Sequence, residues 1–333
     1  MSIQKIAIVI PNWNGEAEIS RCLHSLQVQS LEASIVVVDN GSKDRSVEII
    51  ENDFPGVTLL KNKENLGFAG GVNTGIKYCI KQEYDYIGLF NNDAAARETW
   101  VQYLSNYLDK HKEVGAVTCL FSHTDREHID STGEQYSVWG LPFPRGRGTS
   151  VASADKEGLI FGASGGATMY RTEALNEVGL FDEDFFAYYE DTDISFRMQL
   201  AGWKIAYTPD AIAYHDQGVT SGKIPGFTVV QTFKNLPWLF IKNVPRELLF
   251  TVGLRFLTAY ILMFGNALKK GAGKYAVKGL WQSVKGLPKK IRERRHIQKN
   301  KKVSSEYIYQ LLWKDLPPDQ TGMRKFRSIV KRY

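Results

Sequence analysis

Cysteine is scarce: Cys22, Cys79 and Cys119 are the only three in 333 residues, an odd number without a CxxC pair. That excludes a disulfide framework and a thiolate zinc site, leaving small buried thiols in a reducing, cytoplasmic setting. Neither GxGxxG nor GxxxxGKS/T occurs, so a dinucleotide fingerprint and a phosphate P-loop are unsupported. The first apolar run stops at Pro11, too short for a signal peptide, and reads as a strand. Disorder throughout is excluded by 43% hydrophobic and 23% charged residues.

Acidic residues are nearly missing from one part of the chain. Residues 1–222 carry 18 Lys+Arg against 31 Asp+Glu, a balance of −13; residues 223–333 carry the remaining 24 against 5, a balance of +19. Two regions follow from this, 1–222 and 223–333, with different partners expected for each.

In the first region strands and helices alternate. KIAIVI (5–10), Ser34–Val38, Val57–Lys61 and Tyr86–Phe90 read as strands. Segments Ala17–Leu26, Arg45–Asn52 and Ala69–Ile80 read as helices between them. Short connections and unbroken apolar runs predict an open, mostly parallel α/β sheet with helices on both faces. A helix over Thr99–Lys110 and a strand over Gly115–Phe121 come next, and residues 122–160 read as a long loop or hairpin. Gly166–Arg171 regains regular structure, followed by helices Thr172–Val178 and Glu190–Ala201 and a strand Lys204–Tyr207.

Ligands of such sheets bind beyond the carboxyl ends of the strands. This accounts for VVVDNGS, where a buried strand ends on Asp39, Asn40, Gly41 and Ser42. Asn91-Asn92-Asp93 follows another strand in the same way, so the two groups should share one edge. Asp93 is either a hard oxygen ligand for Mg²⁺ or Mn²⁺ or a cap for the next helix. KENLGFAGGVNTG (63–75) leads from a strand into a helix whose glycines permit close backbone approach and whose N-terminus suits an anion. FDEDFFAYYEDTD places Asp182, Glu183, Asp184, Glu190, Asp191 and Asp193 among the interleaved rings of Phe185, Phe186, Tyr188 and Tyr189. Asp193 and Arg197 are an i, i+4 pair, and acidic residues suit a helix's first turn. Carboxyls desolvated by aromatic neighbours also suit a proton acceptor. His215 is either structural or part of an acidic metal site.

IPNWNG (10–15), VVDNGSKDRS (37–46), NLGFAGGVNTG (65–75), FNND (90–93) and FDEDFFAYYEDTDISFR (181–197), in this order, resemble glycosyltransferase family 2, inverting enzymes of the GT-A fold. Its rhamnosyltransferase-like members are the nearest in pattern, and the resemblance spans about residues 4–222. It implies that Asp39 binds the base of a nucleotide-sugar, with Pro11, Asn12 and Trp13 lining that pocket. Gly67 and Asn73 would border the nucleotide, and Asn92 would face the ribose. Asp93 would bind a divalent metal, Mn²⁺ or Mg²⁺, with His215 as a further ligand. Asp191 would be the catalytic base with Glu190 beside it at the acceptor mouth. Gly165 and Gly166 would shape the sugar and acceptor pocket. The family's metal motif often begins with Asp, and here that position is Asn91, so Asp93 alone supplies charge. Processive relatives carry QxxRW; Gln199-Leu200-Ala201-Gly202-Trp203 lacks the arginine, which favours transfer of a single sugar.

The expected reaction moves a sugar from a UDP- or dTDP-sugar, dTDP-rhamnose included, to a hydroxyl of a glycan or lipid-linked acceptor. Arg246–Lys270 approaches the ~20 apolar residues of a membrane span, and Lys289–Lys302 is strongly basic. The favoured reading is an interfacial helix on an anionic membrane surface, ahead of packing on the catalytic region and ahead of a span. The protein is therefore expected to be peripheral at the inner face of the cell membrane. A nucleotidyltransferase is the enzymatic alternative. A nucleic-acid-binding protein using the basic region is the alternative of another class, disfavoured by the acidic first region.

Overall fold

A computed structural model describes residues 4–215, 224–318 and 320. The elements are β1 (Ile6–Asn12), α1 (Ile19–Gln27), β2 (Ser34–Asp39), α2 (Ser46–Asp53), β3 (Thr58–Lys61), α3 (Gly67–Lys81), β4 (Tyr86–Phe90), β5 (Ala94–Ala96) and α4 (Trp100–Lys110). After these come β6 (Val114–His123), β7 (Ile129–Ser131), β8 (Glu134–Tyr136), β9 (Pro142–Pro144), β10 (Gly158–Ile160), β11 (Ala167–Arg171), α5 (Thr172–Val178), α6 (Glu190–Ala201) and β12 (Lys204–His215). Four further α-helices follow among the described residues: α7 (Phe227–Asn243), α8 (Leu249–Lys269), α9 (Gly273–Lys299) and α10 (Ser305–Leu311).

The main sheet runs β10-β12-β6-β11-β4-β1-β2-β3, with β5 on β12 and β7 on β6. Strands β4, β1, β2 and β3 are parallel neighbours. β11 runs against both β4 and β6. Alternate residues of β1 serve opposite layers. Ile6, Ile8 and Ile10 pack with α1, α2 and α4, while Ala7 and Val9 pack with α3, α5 and α6. The unbroken apolar run of β1 is thus explained by burial on both faces.

The glycines of α3 serve this packing. A Cβ on Gly75 would lie 2.4 Å from Val9 Cγ1, and one on Gly71 would lie 2.8 Å from Asn40 Nδ2. Residues 122–160, expected to be a loop or hairpin, hold the three-residue strands β7 to β10. β12 runs to His215 rather than ending near Tyr207, passing an irregularity between Thr208 and Ile212.

The basic C-terminal region does not stand apart. Leu236, Leu239, Val252, Phe256, Ile308 and Leu312 share one core with Phe161, Phe185, Phe196 and Leu200. The expected boundary at 222 lies outside the described residues. The basic run also differs from expectation. Lys290 is fully buried and reaches Asp182, Asp184 and Glu293 at 2.5, 2.7 and 3.0 Å. Lys242 reaches Asp182 and Asp193 at 2.6 and 2.9 Å, and Lys302 reaches Glu177 at 2.6 Å. Part of the charge asymmetry is therefore satisfied within the chain: α7 and α9 carry cations to the acidic segment 182–193. Asp193 and Arg197 form the pair that helical spacing predicts, at 2.9 Å.

Candidate functional site

The mouths of β2, β1 and β4 are adjacent because the strands are adjacent, and three motifs meet there. Asn12 lies directly opposite Asp39 in the parallel register. Its Nδ2 donates to Asp39 Oδ1 at 3.4 Å and to Ser46 Oγ at 3.0 Å, and its Oδ1 accepts from Asn92 Nδ2 at 3.0 Å. Asp39 is buried, and its Oδ2 accepts from the amides of Gly41 and Ser42, both at 3.2 Å. Pro11 and Trp13 are half-buried at the same edge.

β11 enters at this rim through Gly165-Gly166. The Gly165 amide donates to Asp191 Oδ2 at 3.2 Å, and the Gly166 carbonyl accepts from the Asn91 amide at 2.9 Å. A Cβ on Gly166 would sit 2.8 Å from the Phe121 ring and 3.1 Å from Asn91 Nδ2, so only glycine fits. This two-residue turn ties the first turn of α6 to the mouth of β4. Asp39, Asn12, Asn92 and Asn91, followed by Gly166, Gly165 and Asp191, form one contiguous rim.

Asp93 lies at the far end of the β4 mouth. Its Oδ1 is 3.1 Å from His215 Nε2, and His215 Nδ1 is 2.7 Å from Asp130 Oδ2. The imidazole stacks on Phe121 with centroids 4.7 Å apart. Burial alone would lower the His215 pKa, but hydrogen bonds to Asp130 and Asp93 outweigh it and raise the value to about 9. Arg147 reaches Asp130 at 2.9 Å. A carboxylate oxygen and an imidazole nitrogen facing each other, the imidazole oriented by a second carboxylate, are donors of the kind a first-row divalent cation takes. Once His215 gives up its ring proton the donor set fits a divalent cation such as Mn²⁺; Mg²⁺, which prefers oxygen ligands, suits the imidazole nitrogen less. Another acidic group, Asp182, Asp184 and Glu293, has ligand atoms within 4.8 Å of one another. Lys242, Lys289 and Lys290 already neutralise it, so it is an ion-pair core rather than a metal centre.

The carboxyls of segment 182–193 divide by environment. Burial raises the Asp191 pKa, although amide donors partly offset that. Glu190 is 6% exposed, its Oε2 lacks a hydrogen-bond partner among the described residues, and burial followed by the Asp191 charge raises its pKa to about 8. Asp182 and Asp193 are also desolvated, but Lys242 and other cations hold both well below the usual carboxylate range. Glu134, on β8, is pushed far up by burial and then by the charge of Asp191. Sequence reasoning missed Asp130 and Glu134, because nothing in the polar stretch 122–160 distinguishes them from surface residues.

Two expected donor contacts are corrected. Asn73 is buried; its Nδ2 donates to Phe181 O at 2.8 Å and Glu183 Oε1 at 2.9 Å, and its Oδ1 accepts from Phe181 N at 3.0 Å. It therefore clamps the acidic segment instead of bordering a ligand. Gly67 has φ +74°, and a Cβ there would lie 2.3 Å from Phe186 O. Two first-turn amides of α3 are also used internally: that of Gly67 donates to Asn65 Oδ1 at 2.8 Å and that of Ala69 to Phe186 O at 3.2 Å. The glycine-rich motif makes room for the acidic segment, not for an anion.

The model of glycosyl transferase family 2 matches residues 7–179, more than half of the chain. The chain belongs to this family. A related model, glycosyl transferase family group 2, matches residues 148–234 and so reaches into α7. The N-acetylglucosaminyl-diphospho-decaprenol L-rhamnosyltransferase of Mycobacterium tuberculosis is 25% identical over 241 residues, 66% of this chain and 78% of that protein. The poly-beta-1,6-N-acetyl-D-glucosamine synthase of Staphylococcus epidermidis is 26% identical over 218 residues, and the match spans 50% of its length. Among solved structures, S. aureus TarS 1-349 in complex with UDP-GlcNAc superposes with TM-score 0.57 at 14% identity, covering 93% of both chains. The mannosyltransferase PcManGT from Pyrobaculum calidifontis, in complex with GDP-Man and Mn²⁺, gives 0.55 at 16% identity, covering 94% of this chain and 88% of that one. These likenesses establish the GT-A type fold. The chain is a family 2 glycosyltransferase.

Proposed function

We propose that this glycosyltransferase is metal-dependent and inverting, and moves one sugar from a UDP- or dTDP-sugar to a hydroxyl of a glycan or lipid-linked acceptor in cell-surface polysaccharide synthesis. The observation that carries this reading is the Gly165-Gly166 turn. It hydrogen-bonds Asp191 on one side and the β4 mouth on the other, so that base and donor-side residues border one rim. The names of the relatives support the substrate class: one acts on a lipid-diphosphate sugar, and TarS was solved with UDP-GlcNAc.

Asp39 and Asn12 would bind the nucleobase, with Pro11 and Trp13 lining its pocket. Asn92, itself held by Asn12, would meet the ribose. Asp93 and His215 would hold a divalent cation, Mn²⁺ or Mg²⁺. When bound, the cation would neutralise charge on the departing nucleoside diphosphate. Asp191 would take the proton of the acceptor hydroxyl as that oxygen bonds to the anomeric carbon. The bond from that carbon to the phosphate oxygen breaks, and its electron pair leaves with the nucleoside diphosphate. A single displacement of this kind inverts the anomeric centre and needs no carboxylate nucleophile. Burial keeps Asp191 a stronger base than a solvated carboxylate, while the Gly165 and Thr192 amides keep it aimed. Glu190 and Gly166 would border the acceptor.

Peripheral attachment at the inner membrane face belongs to the same proposal. Among the described residues, Arg246–Lys269 is the one stretch long and apolar enough to cross a bilayer. Phe250, Leu254, Leu257, Ile261 and Leu268 of α8 are exposed along one stripe, opposite the buried Val252, Phe256 and Ala259. A stripe spaced by three and four residues fits an interfacial helix. On α9, exposed Val277, Trp281 and Val284 lie beside exposed Lys274, Lys278 and Lys285, a pairing that suits anionic lipid.

The test is a screen of UDP- and dTDP-sugars with the full chain, with and without Mn²⁺. Nucleotide release is followed, and the anomeric configuration of the product is read by NMR. Release of nucleoside diphosphate with an inverted product is expected. Release of pyrophosphate, or a retained configuration, contradicts the proposal.

A further inference from the structure

The segment that leads into Asp191 is strained. Phe186, Tyr188 and Tyr189 have φ of 64°, 71° and 73°, and none is glycine. Phe186, with ψ −62°, centres a three-residue turn closed by the Ala187 amide donating to Phe185 O at 2.7 Å. Side chains rarely hold this geometry unless the surroundings impose it.

Here the surroundings are one face of α7. Asn235 is fully buried, and its Nδ2 donates to the carbonyls of Phe185, Ala187 and Tyr188 at 3.0, 2.9 and 2.8 Å. Lys234 Nζ donates to Asp184 O at 2.9 Å and Phe185 O at 3.1 Å. Phe227 packs against the rings of Phe186 and Tyr188. The Tyr188 and Tyr189 hydroxyls meet Thr228 and Thr232 of the same helix at 3.3 and 3.4 Å. The strain passes directly into α6, since the Tyr189 carbonyl accepts from the Asp193 amide at 2.9 Å.

We infer that Asn235 is a positioning residue for Asp191, assisted by Lys234: α7 holds the strained turn so that the first turn of α6 presents the base to the acceptor. This rests on the reading of Asp191 as the base. It makes the basic region part of the catalytic apparatus and not only a candidate anchor. Neither residue touches the reacting atoms, so the predicted effect falls on turnover and not on donor binding.

The test uses the full chain and Asn235→Leu, which keeps the volume and removes the donors. Turnover should fall about 100-fold, the scale of an ångström-size misplacement, with donor affinity changed less than about twofold. Adding Tyr189→Gly, which adopts positive φ freely, should recover about tenfold of that loss. A folded Asn235→Leu protein with turnover within about threefold of the parent overturns the inference. Equal loss of donor binding and turnover also overturns it, since that is the mark of general disruption. If Asn235→Leu does not fold, Lys234→Met carries the test: about tenfold lower turnover with donor affinity kept supports the inference, and unchanged turnover overturns it. Asp191→Asn separates the two layers. If it stays active, the base assignment falls and the inference with it. If it is inactive while Asn235→Leu is active, only the inference falls.

Discussion

Replacing Glu190 by glutamine should stabilise the protein, and only above mildly acidic pH. Glu190 is 6% exposed and its Oε2 has no hydrogen-bond partner among the described residues. Its pKa rises from 4.5 to about 8, first through burial and then through the neighbouring Asp191 charge. Below pH 4.5 the carboxyl is protonated in both folded and unfolded chains and has no effect on stability. Between 4.5 and 8 the unfolded chain releases the proton while the folded chain keeps it. Folding stability therefore falls with pH by about 1.4 kcal/mol per unit, and levels off once the folded group ionises. At pH 7 the accumulated cost is ~3 kcal/mol. Glutamine has the same shape without the proton equilibrium, so it removes that cost. Urea unfolding of the two proteins should give nearly equal stabilities at about pH 4. At pH 7 Glu190→Gln should be ahead by ~2–3 kcal/mol, a large share of ordinary domain stability. A variant no more stable than the parent at pH 7, or a difference independent of pH, refutes the reasoning that the site keeps a protonated carboxyl beside the base.

Asp93→Ala should weaken donor binding in the presence of Mn²⁺ and flatten its metal dependence, read by calorimetric titration with and without chelator; unchanged metal dependence removes Asp93 from the site. Lys290→Met leaves Asp182, Asp184 and Glu293 short of a cation, and by the usual cost of breaking a buried pair should lose ~3–5 kcal/mol in urea unfolding. The pH sense of that pair is opposite to Glu190: Asp182 is held below the usual carboxylate range by Lys242 and Lys290 against the cost of burial. Its contribution is present above the unfolded carboxylate pKa and lost as pH falls through the folded value, so Lys290→Met should shift acid unfolding to higher pH. Trp281→Asp with Leu254→Asp should cut binding to anionic vesicles about tenfold or more, given the apolar area removed; unchanged co-sedimentation argues against the exposed stripes as the docking face.

The fold and the rim were legible where the information is local. Each of β1, β2 and β4 is an apolar run that ends on an amide or a carboxylate, and parallel pairing sets those ends side by side. The acidic stretch 182–193 stood out because its carboxyls lie among aromatic residues; only the family resemblance singled out Asp191 within it. The glycines of 67–75 misled because close approach does not say what approaches: the partners are β1 and Phe186, not a phosphate. Asn73 misled for a related reason, since its partner at Phe181 is 108 residues away. The basic run 289–302 reads as a surface because Lys and Arg are rarely buried. Its partners, Asp182 and Asp184, are likewise more than a hundred residues distant, and neither sequence window alone reveals the pairing. Asp130 and Glu134 sit on three-residue strands that are held by β6 and by the 160s, too short to leave a periodic signal.

The most direct test of the account is Asp191→Asn, with donor affinity and turnover measured on the same preparation. A carboxyl that serves only to take the acceptor proton should cost about 10²–10⁴ in turnover when amidated, while the nucleotide-sugar binds as before. Turnover near that of the parent, or loss of donor binding alongside it, would contradict a lone base set across one rim from the donor.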